Sequence, residues 1–423
     1  MMRTRSVGLR LLGALVLAGP AGGHADPWEL GGHFKYQLTH TSYRSDDIDA
    51  VLGVDPASNH DVDFRLKAER RSGPWEYLAH YELLGVAGDA LATRRRSAAL
   101  GAITTGTASG LPDDRRRWFD LTHALADHER TAAVHRLDRL SLGYSGDAAV
   151  LRFGRQVISW GNGLVFHALD FVNPFSPIAI DKDYKTGDDM LYGQWTLDAG
   201  ADVQAIVLPR RDPLTHELAS DRSSYATKLR WRQGEFDLDL IAARHFAESL
   251  IGFGVVRSVG GAVWRADASY TDVNRAGGAF SLVTNIDYAW TWGGRNVYGY
   301  AEYFRNGVGV TDRALYVAPT AALSERIVRG ELFTLARDYV AAGFNVELDP
   351  LLNVFANLIW NLNDGSRFFQ IRGVYDWRQN LQLMAGINLP AGDRGTEFGG
   401  IPSGSGSYVA SGRAIYLRAA YYF

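Results

Sequence analysis

The sequence contains no cysteine. That excludes a disulfide framework and any thiolate metal site. It says little about compartment, because oxidising compartments permit disulfides without requiring them. Proline is scarce, with 13 in 423 residues. No segment after the N-terminus stays apolar for the roughly 20 residues a membrane helix needs. Neither sign of charge dominates: the formal net charge is −3, which gives no general case for nucleic acid.

Aromatic residues and glycine are plentiful: 20 Tyr, 19 Phe, 11 Trp and 46 Gly. Tyr and Trp in bulk suit a surface that is apolar along its middle and meets water at its ends. The length allows one large barrel or two or three soluble domains. Arg3, Arg5 and Arg10 precede a short apolar run, Leu11 to Ala18, and Gly23 and Ala25 are the small residues of a cleavage site. Residues 1–25 therefore read as a signal peptide, and 26–423 as the exported chain.

That chain is a series of runs of about ten residues with period two, the length of a tilted transmembrane strand. In Asp61–Arg70, Val62, Phe64, Leu66 and Ala68 alternate with Asp61, Asp63, Arg65, Lys67 and Glu69. In Leu282–Trp292, Ile286, Tyr288, Trp290 and Trp292 alternate with Asn285, Asp287 and Thr291. Connection lengths are an independent sign. Tight turns such as Arg71-Ser-Gly-Pro74, Gln233-Gly234 and Gly293-Gly294 are separated mostly by long connections at 41–60, 86–132, 159–188, 209–223, 305–328 and 390–412. Outer-membrane barrels alternate short turns and long loops in this way. The expected fold is all-β, an antiparallel transmembrane barrel of about 18 strands in the cell outer membrane. An exported soluble sandwich or propeller would not explain the aromatic strand ends or the length asymmetry.

One stretch does not fit a wall. Arg152-Phe-Gly-Arg-Gln156 begins as a strand and runs into an aromatic, Gly/Asn/Pro segment that ends at Pro177, with charged residues from Asp181 to Asp189. An apolar loop of this length needs something to bury against. It is expected to fold into the barrel mouth. Arg152, Arg155, Gln156, Trp160, Asn162, Asp170 and Asn173 are the candidate constriction, with Arg230, Arg232, Arg265 and Glu302 on the lumen wall. Arg155 shares parity with Leu151 and Phe153, where a charge at mid-bilayer would cost about 2–4 kcal/mol. A bulge at Gly154 turning Arg155 inward is the favoured repair, and a position near the interface is the other. The inward rows carry both signs. Lys228-Arg230-Arg232 faces Glu235-Asp237-Asp239 across one hairpin, so pairing is the first interpretation. Anion selectivity does not follow.

Asp181, Asp183, Asp188 and Asp189 crowd together, but Lys182 and Lys185 intervene and no Ca²⁺-loop spacing is present, which favours a solvated or lumen-facing charged loop. Asp46, Asp47 and Asp49 read the same way. The histidines show no metal-protease spacing, and His167 reads as packing. The Gly/Ser tract at 403–407 lacks the strand-to-helix context of a nucleophile elbow. Arg94-Arg-Arg96 and Arg115-Arg-Arg117 could meet lipopolysaccharide or a polyanion, or be solvated. No cofactor, metal or catalytic residue is expected, and the chain does not read as an enzyme.

The Arg-Phe-Gly-Arg-Gln strand, Trp160-Gly161 and Asp170…Asn173-Pro174 resemble porin-like outer-membrane families of Gram-negative bacteria. With Ala336-Arg-Asp-Tyr339, Asn361-Leu-Asn-Asp-Gly365 and the closing Leu417-Arg-Ala-Ala-Tyr-Tyr-Phe423, the chain most resembles the alginate-export family. The resemblance implies an 18-stranded barrel passing a polysaccharide or small solute. That family relies on a strongly basic constriction, whereas the inward charges here are balanced. Expected partners are outer-membrane lipid and lipopolysaccharide, the polar solute or polysaccharide, and the barrel-assembly machinery through the Phe423 strand. The expected function is passive export or uptake of a polar or anionic solute. A non-conducting barrel anchoring a surface polysaccharide or protein is the alternative.

Overall fold

Strands that alternate apolar and polar side chains form a wall with two unlike faces. The computed structural model describes residues 27–99, 109–180, 182–198, 200–273, 277–403 and 406–423, and in it they do so. The expected signal peptide lies outside the described residues, as does Asp181. The strands are β1 Glu29–Ser42, β2 Ala57–Ser72, β3 Trp75–Gly88, β4 Thr122–His128, β5 Thr131–Ser145, β6 Ala149–Gln156 and β7 Asp188–Thr196. They continue as β8 Asp202–Leu208, β9 Ser224–Gln233, β10 Phe236–His245, β11 Glu248–Val259, β12 Ala262–Val273, β13 Gly277–Trp292 and β14 Arg295–Arg305. The last are β15 Asp338–Asp349, β16 Leu352–Asn361, β17 Arg367–Arg378, β18 Leu381–Ala391, β19 Ile401–Pro402, β20 Tyr408–Val409 and β21 Arg413–Tyr422.

All but β4, β19 and β20 form the wall, which makes 18 strands, each antiparallel to its neighbours. Tyr36 of β1 lies opposite Val62 of β2 on one side and Ala419 of β21 on the other, so the ring closes. Closure leaves no free edge, which a membrane requires of a sheet. These are the strands expected from alternation, with ends displaced by a few residues. The tight turns use glycine where φ is positive, as at Gly234 (+61°) and Gly293 (+58°).

The outer face is apolar. Leu240, Ile251, Phe253, Tyr270, Phe280 and Ile286 are exposed there. Trp75, Tyr144, Trp195, Trp292 and Trp377 are exposed at strand ends beside the short turns, and the Trp75 and Tyr144 rings meet edge to face at 5.1 Å. That places an aromatic girdle on the short-turn rim. Two clusters of buried apolar residues join the inner wall to the segment after β6. One contains Val165, Phe166, Phe304 and Tyr339, the other Trp160, Leu169, Ile206 and Ile241.

The long connections hold elements that alternation does not reveal: α1 Ile48–Val51, α2 Asp89–Ala99, the short strand β4 and α3 Ala321–Arg329. α3 buries Leu323 and Ile327, one turn apart, against the first cluster. Its N-cap Thr320 accepts from the Leu323 N–H, and Gly330 ends it at φ +74°. The basic triplets in the 86–132 connection are largely paired. Arg95 bonds Asp127, Arg96 bonds Glu129 at 2.5 Å, Arg115 bonds Asp113 at 2.6 Å and Arg117 bonds Asp114 at 2.8 Å.

Candidate functional site

β6 ends at Gln156 and the chain turns into the ring until β7 starts at Asp188. Two glycines of β11 make room for it. A Cβ at Gly252 would stand 2.3 Å from Leu169 Cδ2, and one at Gly254 3.0 Å from Asn162 Nδ2. Asn173 turns the chain before Pro174 at φ +49°, a left-handed conformation that asparagine tolerates.

The loop is bonded to both halves of the ring. On the β8–β15 side, Trp160 donates to Gln204 at 2.8 Å. Asp267 accepts from the Asn162 backbone N–H at 2.5 Å and from its side-chain amide at 2.7 Å. Glu302 accepts the N–H groups of Leu164, Val165 and Phe166 at 2.6, 2.9 and 2.7 Å. Asn285 bridges, donating to Asn162 O and to Glu302 at 3.0 Å each, and Arg265 donates to Asn285 at 3.2 Å. The Phe166 ring stacks on Phe304 at 4.7 Å. These carboxylates satisfy backbone donors that an irregular buried loop would otherwise leave unpaired.

On the other side, Asp183 accepts from Lys35 at 2.6 Å and from Tyr422 at 3.1 Å. Arg372 donates to Ile180 O at 3.4 Å. The Tyr184 ring lies under Arg65 at 4.3 Å, and Arg139 bonds Lys185 O. Lys185 braces the two arms of the loop, donating to Asp170 at 2.6 Å and to Ile158 O at 2.7 Å. Burial pushes the Asp170 carboxyl up to about 6, with Lys185 opposing it.

Arg155 requires a correction. Register runs unbroken from Val150 to Arg155 against β5 and from Ala149 to Gln156 against β7, with Arg155 opposite Leu140 and Asp189. Gly154 is twisted, at φ +119°, but no residue is inserted there. The irregularity is in β5, between His80/Arg139 and Tyr81/Leu137, leaving Asp138 extra. Asp138 faces an inner cluster of Arg65, Arg136 and Arg139. Arg155 keeps the outward parity of Phe153 and is still 0 % exposed. Residues 109–121 run over it as a strap. Arg155 pairs with Asp189 at 2.7 Å and with Asp114 of the strap at 3.0 Å, and donates to Phe119 O at 2.9 Å. Trp118 and Phe119 pack on Phe153 from outside. Asp114, which burial would raise, is brought down to about 2 by Arg155 and Arg117.

The structure thus gathers Trp160, Asn162, Asp170 and Asn173 in the loop, with Arg265 and Glu302 beside it. Gln156 is buried at the loop entry, donating to Met190 O at 3.3 Å. Three expected residues stand apart. Arg152 faces Glu76 at 3.3 Å. Arg230 pairs with Asp239 at 2.8 Å, and Arg232 with Asp237 at 3.8 Å, the hairpin pairing expected from the two rows. The clustered carboxylates are held by cations: Asp188 by Arg210 at 2.7 Å and Asp189 by Arg155. Asp47 pairs with Arg394 at 2.6 Å. Asp267, Asn285 and Lys185 were not singled out from sequence. Their only signal is a polar residue on an inward row, or a cation among carboxylates.

No family model matches this chain, and no curated protein matches its sequence. By structure it is similar to a BenF-like porin from Pseudomonas fluorescens Pf-5, with TM-score 0.52 at 10% identity, over 95% of this chain and 100% of that one. OccAB1 of Acinetobacter baumannii aligns with TM-score 0.52 at 9% identity, over 95% and 97%. OccK2 (OpdF) of Pseudomonas aeruginosa, in complex with glucuronate, aligns with TM-score 0.50 at 10% identity, over 94% and 98%. At such identity the likeness is one of fold. A closed 18-strand barrel with an apolar outer band is an outer-membrane protein.

Proposed function

We propose that the protein is a passive outer-membrane channel for small polar solutes, with residues 157–187 as its constriction. The observation that carries this is the anchoring of one loop to both halves of the ring, through Asp267 and Glu302 on one side and Lys35 and Tyr422 on the other. Any solute crossing the barrel passes beside that loop. Arg155 acts from outside the path, holding the strap and the start of β7, while Asn162 and Asp170 brace the loop through Asp267 and Lys185. Most inward charges are paired within the wall, which supports modest selectivity by charge. Export of an exopolysaccharide, the finer expectation from the resemblance, is less well supported, because a polymer would need the braced loop to move aside.

The test is conductance of the purified barrel in a planar bilayer. The full chain is expected to give discrete steps, and deletion of 159–185 to enlarge them severalfold. A barrel silent in both forms would sink the proposal and favour an anchoring barrel without a pore.

A further inference from the structure

The strap crosses the outside of the wall at the long-loop rim, which in outer-membrane barrels faces away from the cell. The pairs that hold two of its arginines leave the third unaccounted for. Arg115 is bound to Asp113 at 2.6 Å and Arg117 to Asp114 at 2.8 Å. Among the described residues, Arg116 donates to Val328 O at 3.4 Å and pairs with no carboxylate. It is packed among like charges. Its carbonyl accepts from the Arg211 N–H at 3.0 Å, and Arg117 forms a short bridge with Arg210. Arg211 also lacks a carboxylate partner among the described residues, donating to Trp118 O at 2.9 Å and to His216 O at 2.7 Å. Arg210 and Arg329 share the ring of Phe246, at 5.2 and 4.2 Å from its centre. Those two are already paired, with Asp188 at 2.7 Å and with Glu325 at 3.2 Å. Burial, with Arg329, Arg210 and Arg115 adding to it and Asp113 opposing, holds the Arg116 guanidinium below its ordinary pKa. Cations gathered this closely repel one another until an anion joins them.

The surface beneath the cluster says which anion fits. Phe153, Leu191, Val207 and Tyr225 lie opposite one another across β6 to β9, on the outward face, and all four are exposed. They make an apolar row directly under the strap, where Trp118 and Phe119 pack on Phe153. Arg210 and Arg211 follow Val207 by three and four residues, about 10–13 Å further along an extended chain. Charge thus stands just above the last lipid-facing row, at the level of headgroups. A soluble anion would meet the arginines and make no use of that row. A lipid whose phosphates sit on a sugar directly above its acyl chains meets both. Guanidinium forks match phosphate oxygens in pairs.

We infer that Arg116 and Arg211 bind the phosphate of an acylated glycolipid in the outer leaflet, its chains lying on the row from Phe153 to Tyr225. The site is independent of whether the barrel conducts. The test is native mass spectrometry of the detergent-solubilised full barrel, titrated with lipid A in its phosphorylated and dephosphorylated forms. The phosphorylated form is expected to bind at least tenfold more tightly. Arg116→Gln should weaken its binding about tenfold, since a charge-assisted bond to phosphate is worth about a decade, and leave the dephosphorylated form unaffected. Arg211→Gln, which keeps a donor for Trp118 O, should act in the same direction. Arg295→Gln removes an exposed charge at the short-turn start of β14 and should change nothing. The heat-modifiable gel shift of folded barrels checks folding of each variant. Because Arg116 sits among like charges, Arg116→Gln should leave the urea midpoint of the lipid-free barrel unchanged or raise it. Weaker binding together with a lower midpoint would make Arg116 a brace of the strap and overturn the inference. Equal binding of the two lipid forms, unchanged binding in both folded variants, or an equal loss in Arg295→Gln also overturns it. Inorganic phosphate at the lipid's own concentration is expected to displace none of it; displacement would assign the arginines to a soluble anion and remove the lipid.

Discussion

Arg155 lies on the outward row of β6, yet has no exposed surface. Its guanidinium is shared between Asp189, Asp114 and the carbonyl of Phe119. A planar fork with five donors suits that divided role, and a lysine would leave part of it unmet. Arg155→Met is expected to destabilise the barrel by about 3–5 kcal/mol, because buried Asp189 loses its cation and buried Asp114 keeps only Arg117. The urea midpoint of the purified protein measures this. Adding Asp114→Asn and Asp189→Asn to Arg155→Met should recover part of the loss; no recovery would mean the charges are not its cause. The break in alternation at Arg155 is visible in the sequence. Its solution is not, because Asp114 is 41 residues away and Asp189 lies beyond the whole loop.

The inward loop is an element whose hydrogen bonds go to the wall. A strand satisfies its backbone by pairing, but residues 162–166 have no strand beside them and use Asp267 and Glu302. Glu302→Gln is therefore expected to loosen the loop and make the bilayer current noisier. A second latch closes the long-loop end. Glu397 accepts from Tyr339 Oη at 2.6 Å, from Asn361 Nδ2 at 2.8 Å and from the Leu335 N–H at 2.8 Å. Burial, which these donors only partly offset, pushes its carboxyl up to about 7 from an ordinary 4.5. A folded value above the unfolded one means that the latch's contribution is complete below about pH 4.5 and lost as pH rises through about 7. Hydrogen exchange in residues 391–400, corrected for intrinsic rates, should show protection falling between pH 5 and 8. Glu397→Gln should flatten that slope. That the loop enters the barrel was legible from its apolar content. Its anchors were not, because an inward carboxylate looks the same whether it pairs with an arginine or receives a backbone.

For the whole molecule, the decisive property is a wall with lipid on one side and a polar interior on the other. Leu240 and Asp239 are neighbours in β10, one exposed outside and the other paired with Arg230 inside. Leu240→Arg is expected to cost about 2–4 kcal/mol in lipid near the bilayer centre. Folding titrations in phospholipid vesicles measure it, and a cost near zero would put that row outside the hydrocarbon. Period two, tight glycine turns and alternating connection lengths sufficed to number the wall strands, because each strand's pattern is local and must match a two-faced sheet. Helices α2 and α3 and the strap escaped that reading, since short segments in long connections take their structure from what they pack on. The sequence by itself determined an 18-strand antiparallel wall and the entry of one loop into it. Only the tertiary structure decided which residues hold that loop and how Arg155 is buried. Those depend on side chains far apart in the chain meeting across the lumen, which periodicity along one strand does not encode.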